Sequence, residues 1–422
     1  MTRVVVTGIG LLTALGVGVE STWKRLMAGE TGIKPISLLD ADSLPLPWAG
    51  EIEGFTPAHF IRNRKTLRMM TRGDQLAFAG ASLALEDARL VGKDLSRAGL
   101  YIGGNKQVSD LNHVVECMMG CRDEHGVVDE RLFLDLAQKT VYPLLFVQGL
   151  PAASLFYISE GLGVNGLSSF FVGTADASAN AVGTAYKAIE QGHADIVIAG
   201  GVEDSLAWWP MTHLASLSVL SGRRDLGQRA YQPYSANRSG AVLGEGAAFL
   251  VLESLTEARK RGAPVYAEIT GLGRGCDAYH VVSPHPEGRG LYHACRRVVE
   301  GQTRAPKSMN ILTHGSATVS GDATEVQALK RALGDEAIVA ATCIKPALGH
   351  TVAAAGAMNA AVAACVTRYG GLPPLLNYDA GDPACRLPWV TTPEYRTTAA
   401  STLTVARGLE GNNVVMEFSV CQ

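Results

Sequence analysis

The chain has 422 residues, 47% of them hydrophobic and 18% charged, with a formal net charge of −3. It is longer than one compact core usually needs, so two domains or a fused double domain are expected, and the composition excludes a disordered chain. The small net charge gives no reason to expect nucleic acid or an anionic membrane as partner.

In chain order, Arg3–Gly10 predicts a strand entering a glycine turn; its glycine spacing and the lack of a placed acidic residue do not make a dinucleotide fingerprint. No signal peptide is read at Met1–Arg3. Helices are expected over 20–29 and from Asp74 to Leu90, then a strand over Leu100–Gly104. Residues 105 to about 165, richer in Met, His and charge, read as an inserted helical cap. The apolar run Ser168–Val172 predicts a buried strand that turns sharply at Gly173-Thr174 and continues as a helix from Ala177 to Gly192. That strand–turn–helix seats Asp176 at a positive helix end, exposed at the top of a sheet, as a nucleophile would be seated. Ala194–Gly201 suits the middle of a parallel sheet, and Ala247–Glu253 is a further strand followed by a charged helix, Thr256–Arg261.

From Val265 the pattern repeats. Val265–Gly273 echoes Val4–Gly10, and helical (290–301, Thr324–Leu333, 352–366) and strand (Asn310–Thr313, 338–342, Thr402–Ala406, Val414–Phe418) segments alternate after it. The fold class is therefore a duplicated α/β unit, with halves over 1–262 (carrying the cap) and 263–422. The longest apolar stretch, Val352–Val366, is too short to span a bilayer. The eight cysteines are scattered, and the close pair Cys117 and Cys121 has no second pair to complete a zinc site, so a reduced cytoplasmic protein with no metal is expected.

Several motifs together carry a family likeness: Leu150-Pro151, Thr174-Ala175-x-Ala177-Ser178, Ala199-Gly200-Gly201, Gly244-Glu245-Gly246, His314-Gly315, Gly321-Asp322-Ala323-Thr324-Glu325 and Ile344-Lys345-Pro346-x-x-Gly349-His350-Thr351. In these the chain resembles the β-ketoacyl synthases of the thiolase superfamily, in particular the elongating condensing enzymes of fatty acid and polyketide synthesis, from Val4 to Phe418. The resemblance implies a thiolase-like fold of five layers, α-β-α-β-α. It implies an acyl carrier protein as partner, whose phosphopantetheine arm carries the substrate, and no cofactor of the chain's own. It also implies a dimer, either a homodimer or a heterodimer with a ketosynthase, in which the strand before Asp176 pairs across a two-fold axis near Phe170 and Phe171.

By the same resemblance His314, His350 and Lys345 fall on the family's two catalytic histidines and its lysine, and Asp176 on its acyl-accepting cysteine. Ser316 and Thr318 match positions that hydrogen-bond the arm, with loop capping as the alternative. There are three departures from the family pattern. Asp176 replaces the cysteine, the gating loop reads Gly408-Leu409-Glu410-Gly411 with Leu409 for a phenylalanine, and the acidic run near Arg238 is softened to Ser235, Asn237 and Ser239.

Two neutral imidazoles converging on one thioester oxygen form an oxyanion hole for the enolate left when malonyl loses CO2. Lys345 would orient His314 and a carboxylate, plausibly Glu325. Asp176 is either a plain helix-start residue or a carboxylate kept ionised beside the thioester. In neither role does it accept an acyl group, because the product would be an anhydride. Ser178 points elsewhere along the helix, and Cys343 is a buried strand residue. Two readings result. The first is a malonyl-ACP decarboxylase yielding acetyl-ACP in polyketide biosynthesis, similar to the free-standing decarboxylases of β-branching cassettes. The second is a non-catalytic chain-length factor partnering an active ketosynthase.

Overall fold

The computed structural model of the protein describes residues 2–40, 44, 46–105, 111–300 and 308–422. The N-terminal half is built from β1 (Val4–Thr13), α1 (Arg72–Asp87), β2 (Gly99–Gly104), β3 (Ser168–Val172), α2 (Ala177–Glu190), β4 (Ile196–Glu203) and β5 (Gly246–Ser254). Its strands lie in the order β3-β2-β4-β5-β1, the first three parallel and β5 antiparallel to both neighbours.

The C-terminal half repeats this with β6 (Ala267–Cys276), α3 (Arg289–Glu300), β7 (Met309–Leu312), α4 (Val319–Leu333), β8 (Ile338–Thr342), α5 (Ala355–Tyr369), β9 (Ser401–Arg407) and β10 (Asn412–Ser419). The order β8-β7-β9-β10-β6 and the strand senses match position for position.

The two five-stranded sets meet where Val4–Val6 of β1 pair with Ala267–Ile269 of β6, so hydrogen bonding runs through one continuous path rather than two separate sheets. The layering is still fivefold, and β5 shows why. Successive side chains point to opposite faces of a strand. Ala247, Phe249 and Val251 pack into one cluster with α1, while Ala248, Leu250 and Leu252 pack into another with α2 and α5. In the other half Leu403, Val405 and Val415 face α3 and α4, while Ala406, Val414 and Met416 face α5. Helices α2 and α5 therefore form the middle layer. They approach closely because their contact is made of small residues: a Cβ at Gly356 would lie 2.6 Å from that of Ala179.

The cap contains helices over Asn112–Gly120, Glu130–Thr140, Leu145–Gln148 and Ala153–Leu162, and residues 106–110 of that insertion lie outside the described residues, as does residue 301 of the expected 290–301 helix. One expectation is overturned. β3 is a half-buried edge strand rather than a buried one, bordered by β2 alone among the described residues, with Val172 67% exposed. Among the described residues no helix is long and apolar enough to cross a membrane.

Candidate active site

The turn from β3 to α2 puts Asp176 at the N-cap of α2, but not as a capping side chain. Its backbone is already helical (φ −80°, ψ −21°), and its carboxylate accepts no first-turn N–H. Oδ2 accepts from Asn180 Nδ2 at 3.2 Å, and Oδ1 is buried without a hydrogen-bond partner among the described residues. Asp176 is 3% exposed, which corrects the expected exposed seat. The cover is the Gly408–Gly411 loop: a Cβ at position 408 would lie 2.3 Å from Oδ1, so any other residue there would have to displace the carboxylate.

That loop is tied down at Thr174, whose Oγ1 accepts from the Leu409 N–H at 2.8 Å and donates to Glu410 Oε2 at 3.0 Å. Burial, and then the negative charge of Glu410, push the Asp176 carboxyl up to about 6. The helix end does not hold Asp176 strongly ionised, because desolvation outweighs it. Ser178 indeed points elsewhere, its Oγ accepting the Ala357 N–H at 2.9 Å in the seam between α2 and α5.

The C-terminal half supplies the rest. β7 delivers Thr313-His314, and β8 leads through Cys343 to Lys345, which opens a short helix, Lys345–Leu348, instead of ending the strand. His350 follows Gly349, a residue at φ +79°. Its backbone N–H donates to Val242 O at 2.7 Å and its carbonyl accepts from Gly244 at 3.0 Å, which pins it to the segment before β5.

The two imidazole centroids are 5.4 Å apart with planes at 74°. The Arg407 backbone N–H donates to His314 Nδ1 at 3.4 Å, and Lys345 Nζ lies 3.2 Å from the same nitrogen. Nδ1 is therefore the acceptor, and Nε2 carries the proton. Burial, helped by the Lys345 charge, holds both imidazoles well below their ordinary value, so both are neutral near pH 7. His350 Nδ1 is buried and has no hydrogen-bond partner among the described residues.

Lys345 is buried, its ammonium donates also to the His314 carbonyl, and desolvation lowers its pKa. The expected pairing of Lys345 with Glu325 is not made. Glu325 lies on α4 beneath the turn after β7, where nearer donors claim it: His314 N at 2.6 Å on Oε1, Gly315 N at 3.0 Å and Tyr234 Oη at 2.9 Å on Oε2. Ser316 and Thr318 share a hydroxyl hydrogen bond of 2.8 Å, and Thr318 caps α4 by accepting from Gly321 N at 3.2 Å. Loop capping is therefore real, and it leaves both residues on a cavity wall.

That cavity measures about 240 Å³. His314, His350, Ser316, Thr318 and Leu409 line it, with Leu214 of the helix Trp208–Ser216 and Leu217 just after it on an apolar side. Asp176 and Glu410 are not among its lining residues; Thr174, Ala175 and Gly408 stand there instead. Among the described residues no cysteine lines it. Cys343 is buried with its thiol pushed up to about 12, which removes it as a nucleophile. Sequence reasoning missed one charged lining residue, Arg407. The signal for Arg407 was available: it is the one charged residue of the strand Ser401–Arg407.

A duplicated five-layer α/β fold, with two imidazoles and a lysine gathered at the sheet ends, defines a condensing-enzyme scaffold. Residues 1–258 match the β-ketoacyl synthase N-terminal domain and residues 266–379 its C-terminal domain, so the chain belongs to the β-ketoacyl synthase family. It is 30% identical to the 3-oxoacyl-[acyl-carrier-protein] synthase 2 of Synechocystis sp. over 428 residues, covering 100% of this chain and 98% of the relative. Solved structures similar to it include a β-ketoacyl synthase from Burkholderia phymatum (TM-score 0.87, 28% identity) and the ishigamide ketosynthase/chain length factor (TM-score 0.87, 27% identity), each covered in full by this chain.

Proposed function

We propose that the protein decarboxylates malonyl carried by an acyl carrier protein to acetyl, in a polyketide pathway, without first becoming acylated. The observation that carries this reading is the pairing of two neutral imidazoles in one cavity from which Asp176 is covered over. The phosphopantetheine arm enters along Ser316 and Thr318, and the His314 Nε2–H and a His350 N–H donate to the thioester oxygen. The bond from the α-carbon to the carboxylate breaks, its electron pair forms the enolate, and CO2 leaves. The α-carbon then takes one proton from solvent, so malonyl thioester plus a proton gives acetyl thioester plus CO2. Donors placed this way are worth about 10²–10³ in rate each. Lys345 is a positioning residue, fixing the His314 ring and its tautomer from the far nitrogen.

An acyl carrier protein as partner is supported by the name of the Synechocystis relative. A homodimer or a heterodimer with a ketosynthase is supported by the unpaired edge of β3, with Phe170 and Phe171 half-buried and Val172 exposed. The chain-length-factor reading is supported by the likeness to the ishigamide ketosynthase/chain length factor; the Leu409 and Glu410 loop held on Thr174 favours neither reading, because neither loads an acyl chain.

The deciding test is incubation of the protein alone with malonyl-ACP, read by mass spectrometry. Acetyl-ACP and CO2 support the decarboxylase. Malonyl-ACP left intact until an active ketosynthase is added would make the protein a chain-length factor.

A further inference from the structure

We propose that Arg407 is the anion-reading residue of the cavity, its one guanidinium nitrogen without a hydrogen bond taking the carboxylate of the malonyl group. The identity of the acyl group rests on the decarboxylase reading; the anion site itself rests on Arg407. β9 ends at this residue, and its backbone N–H is the donor to His314 Nδ1, so Arg407 is fixed beside the imidazole. Its side chain is 8% exposed and lines the cavity.

Two of its three nitrogens are spent on neutral acceptors. Nε donates to Asn413 Oδ1 at 3.1 Å, and Nη1 donates to Gly321 O at 2.8 Å and Thr324 Oγ1 at 3.3 Å. Nη2 has, among the described residues, only Asp277 Oδ2 at 3.9 Å, beyond hydrogen-bond reach. Asp277 is itself engaged, with Oδ1 accepting from Gly290 N at 2.8 Å and Asn413 Nδ2 at 3.4 Å, and Oδ2 from His285 N at 3.1 Å. A buried cation of a cavity-lining residue, with its neighbours satisfied elsewhere and donors left without a hydrogen bond, is a site for an anion.

The geometry also suits turnover. With Nε and Nη1 occupied, Nη2 offers a single-point contact and not a bidentate clamp, so it orients the carboxylate without holding it by both oxygens. The acetyl product carries no carboxylate and loses the contact. Arg407 would therefore favour substrate over product in a site that otherwise sees the same arm. The same anion chemistry is found in the phosphate of the arm, and the test separates the two sources.

Full-length protein is titrated by calorimetry with amide analogues, in which nitrogen replaces the thioester sulfur: malonyl-pantetheine, acetyl-pantetheine and acetyl-phosphopantetheine. The wild type should bind the malonyl analogue about 10–100-fold more tightly than acetyl-pantetheine. Arg407→Gln should abolish that preference with acetyl-pantetheine affinity held, and Arg407→Lys should recover part of it. Equal wild-type affinity for the malonyl and acetyl-pantetheine analogues overturns the proposal, and needs no variant to fold. A variant that weakens both equally also overturns it, by making the role structural. So does one that weakens only acetyl-phosphopantetheine, by moving the contact to the phosphate. CO2 release from malonyl-ACP is measured in parallel. Malonyl preference without CO2 leaves the anion site standing and removes the decarboxylase; CO2 release without preference does the reverse.

Discussion

The two copies of the duplicated unit use their strand-to-helix junctions differently. In the N-terminal half, β3 passes into α2 through Gly173–Asp176, and the side chain set at the helix start is buried and roofed by a loop of the other half. In the C-terminal half, the equivalent passage from β8 to α5 runs over 343–354, interposes the short helix Lys345–Leu348, and presents His350 to the cavity. One scaffold thus carries a closed junction and an open one. The strands and central helices set where chemistry is possible, and the junction residues decide whether it is offered to a substrate.

The comparison breaks most sharply at the imidazoles. His314→Ala or His350→Ala should each lower CO2 release from malonyl-ACP by about 10²-fold or more at unchanged fold, measured by steady-state kinetics with circular dichroism as the check. Loss of less than tenfold would mean that the open junction is not the site of reaction. At the closed junction, Asp176→Cys should not give robust chain elongation, because Leu409 and Glu410 still hold the loop on Thr174. Product chains from acyl-ACP and malonyl-ACP, followed by mass spectrometry, check this.

Asp176 should instead be visible in stability. Its carboxyl sits near 6 in the folded protein against an ordinary 3.8, so the folded state holds the proton longer. The group's contribution is present below about pH 4 and is lost as pH rises through about 6, a change of about 3 kcal/mol at most. Urea unfolding of wild type and Asp176→Asn should agree at pH 4 and diverge by pH 7, with the variant more stable there. Parallel profiles would refute the burial. Glu410→Gln should give the smallest effect, lowering the Asp176 midpoint by removing the adjacent negative charge, as read by carboxylate NMR.

Much of this was legible in the sequence. The repeat of a β-branched strand and Gly-x-Gly at Val4–Gly10 and Val265–Gly273 reports a duplicated unit, because both segments are the same strand of their half, the one that pairs with the other half. His314, His350 and Lys345 stand beside glycines or proline in the turns and short helix that follow the strands, where local pattern and chemistry coincide. The burial of Asp176 was not legible. Its roof comes from a loop whose Glu410 is 236 residues from Thr174, and no window around Asp176 contains it. The partners of Glu325 were hidden for a related reason: backbone donors carry no sequence signal, so a nearby lysine looked like the natural partner. β3 reads as buried because Phe170 and Phe171 are apolar, and only topology shows that it is an edge.

The pairing of β1 has a consequence for how the chain is made. Val4–Leu12 is fully buried and apolar except for Thr7, yet its long neighbours, β5 and β6, pair with it at Ala247–Ser254 and Ala267–Ile269. A ribosome therefore emits this buried strand some two hundred and fifty residues before its partners. Until then the strand is an open edge, the kind of segment that chaperones bind and that aggregates when they are short. Recombinant yield should accordingly respond to slower translation or chaperone supply more than to any change at the active site.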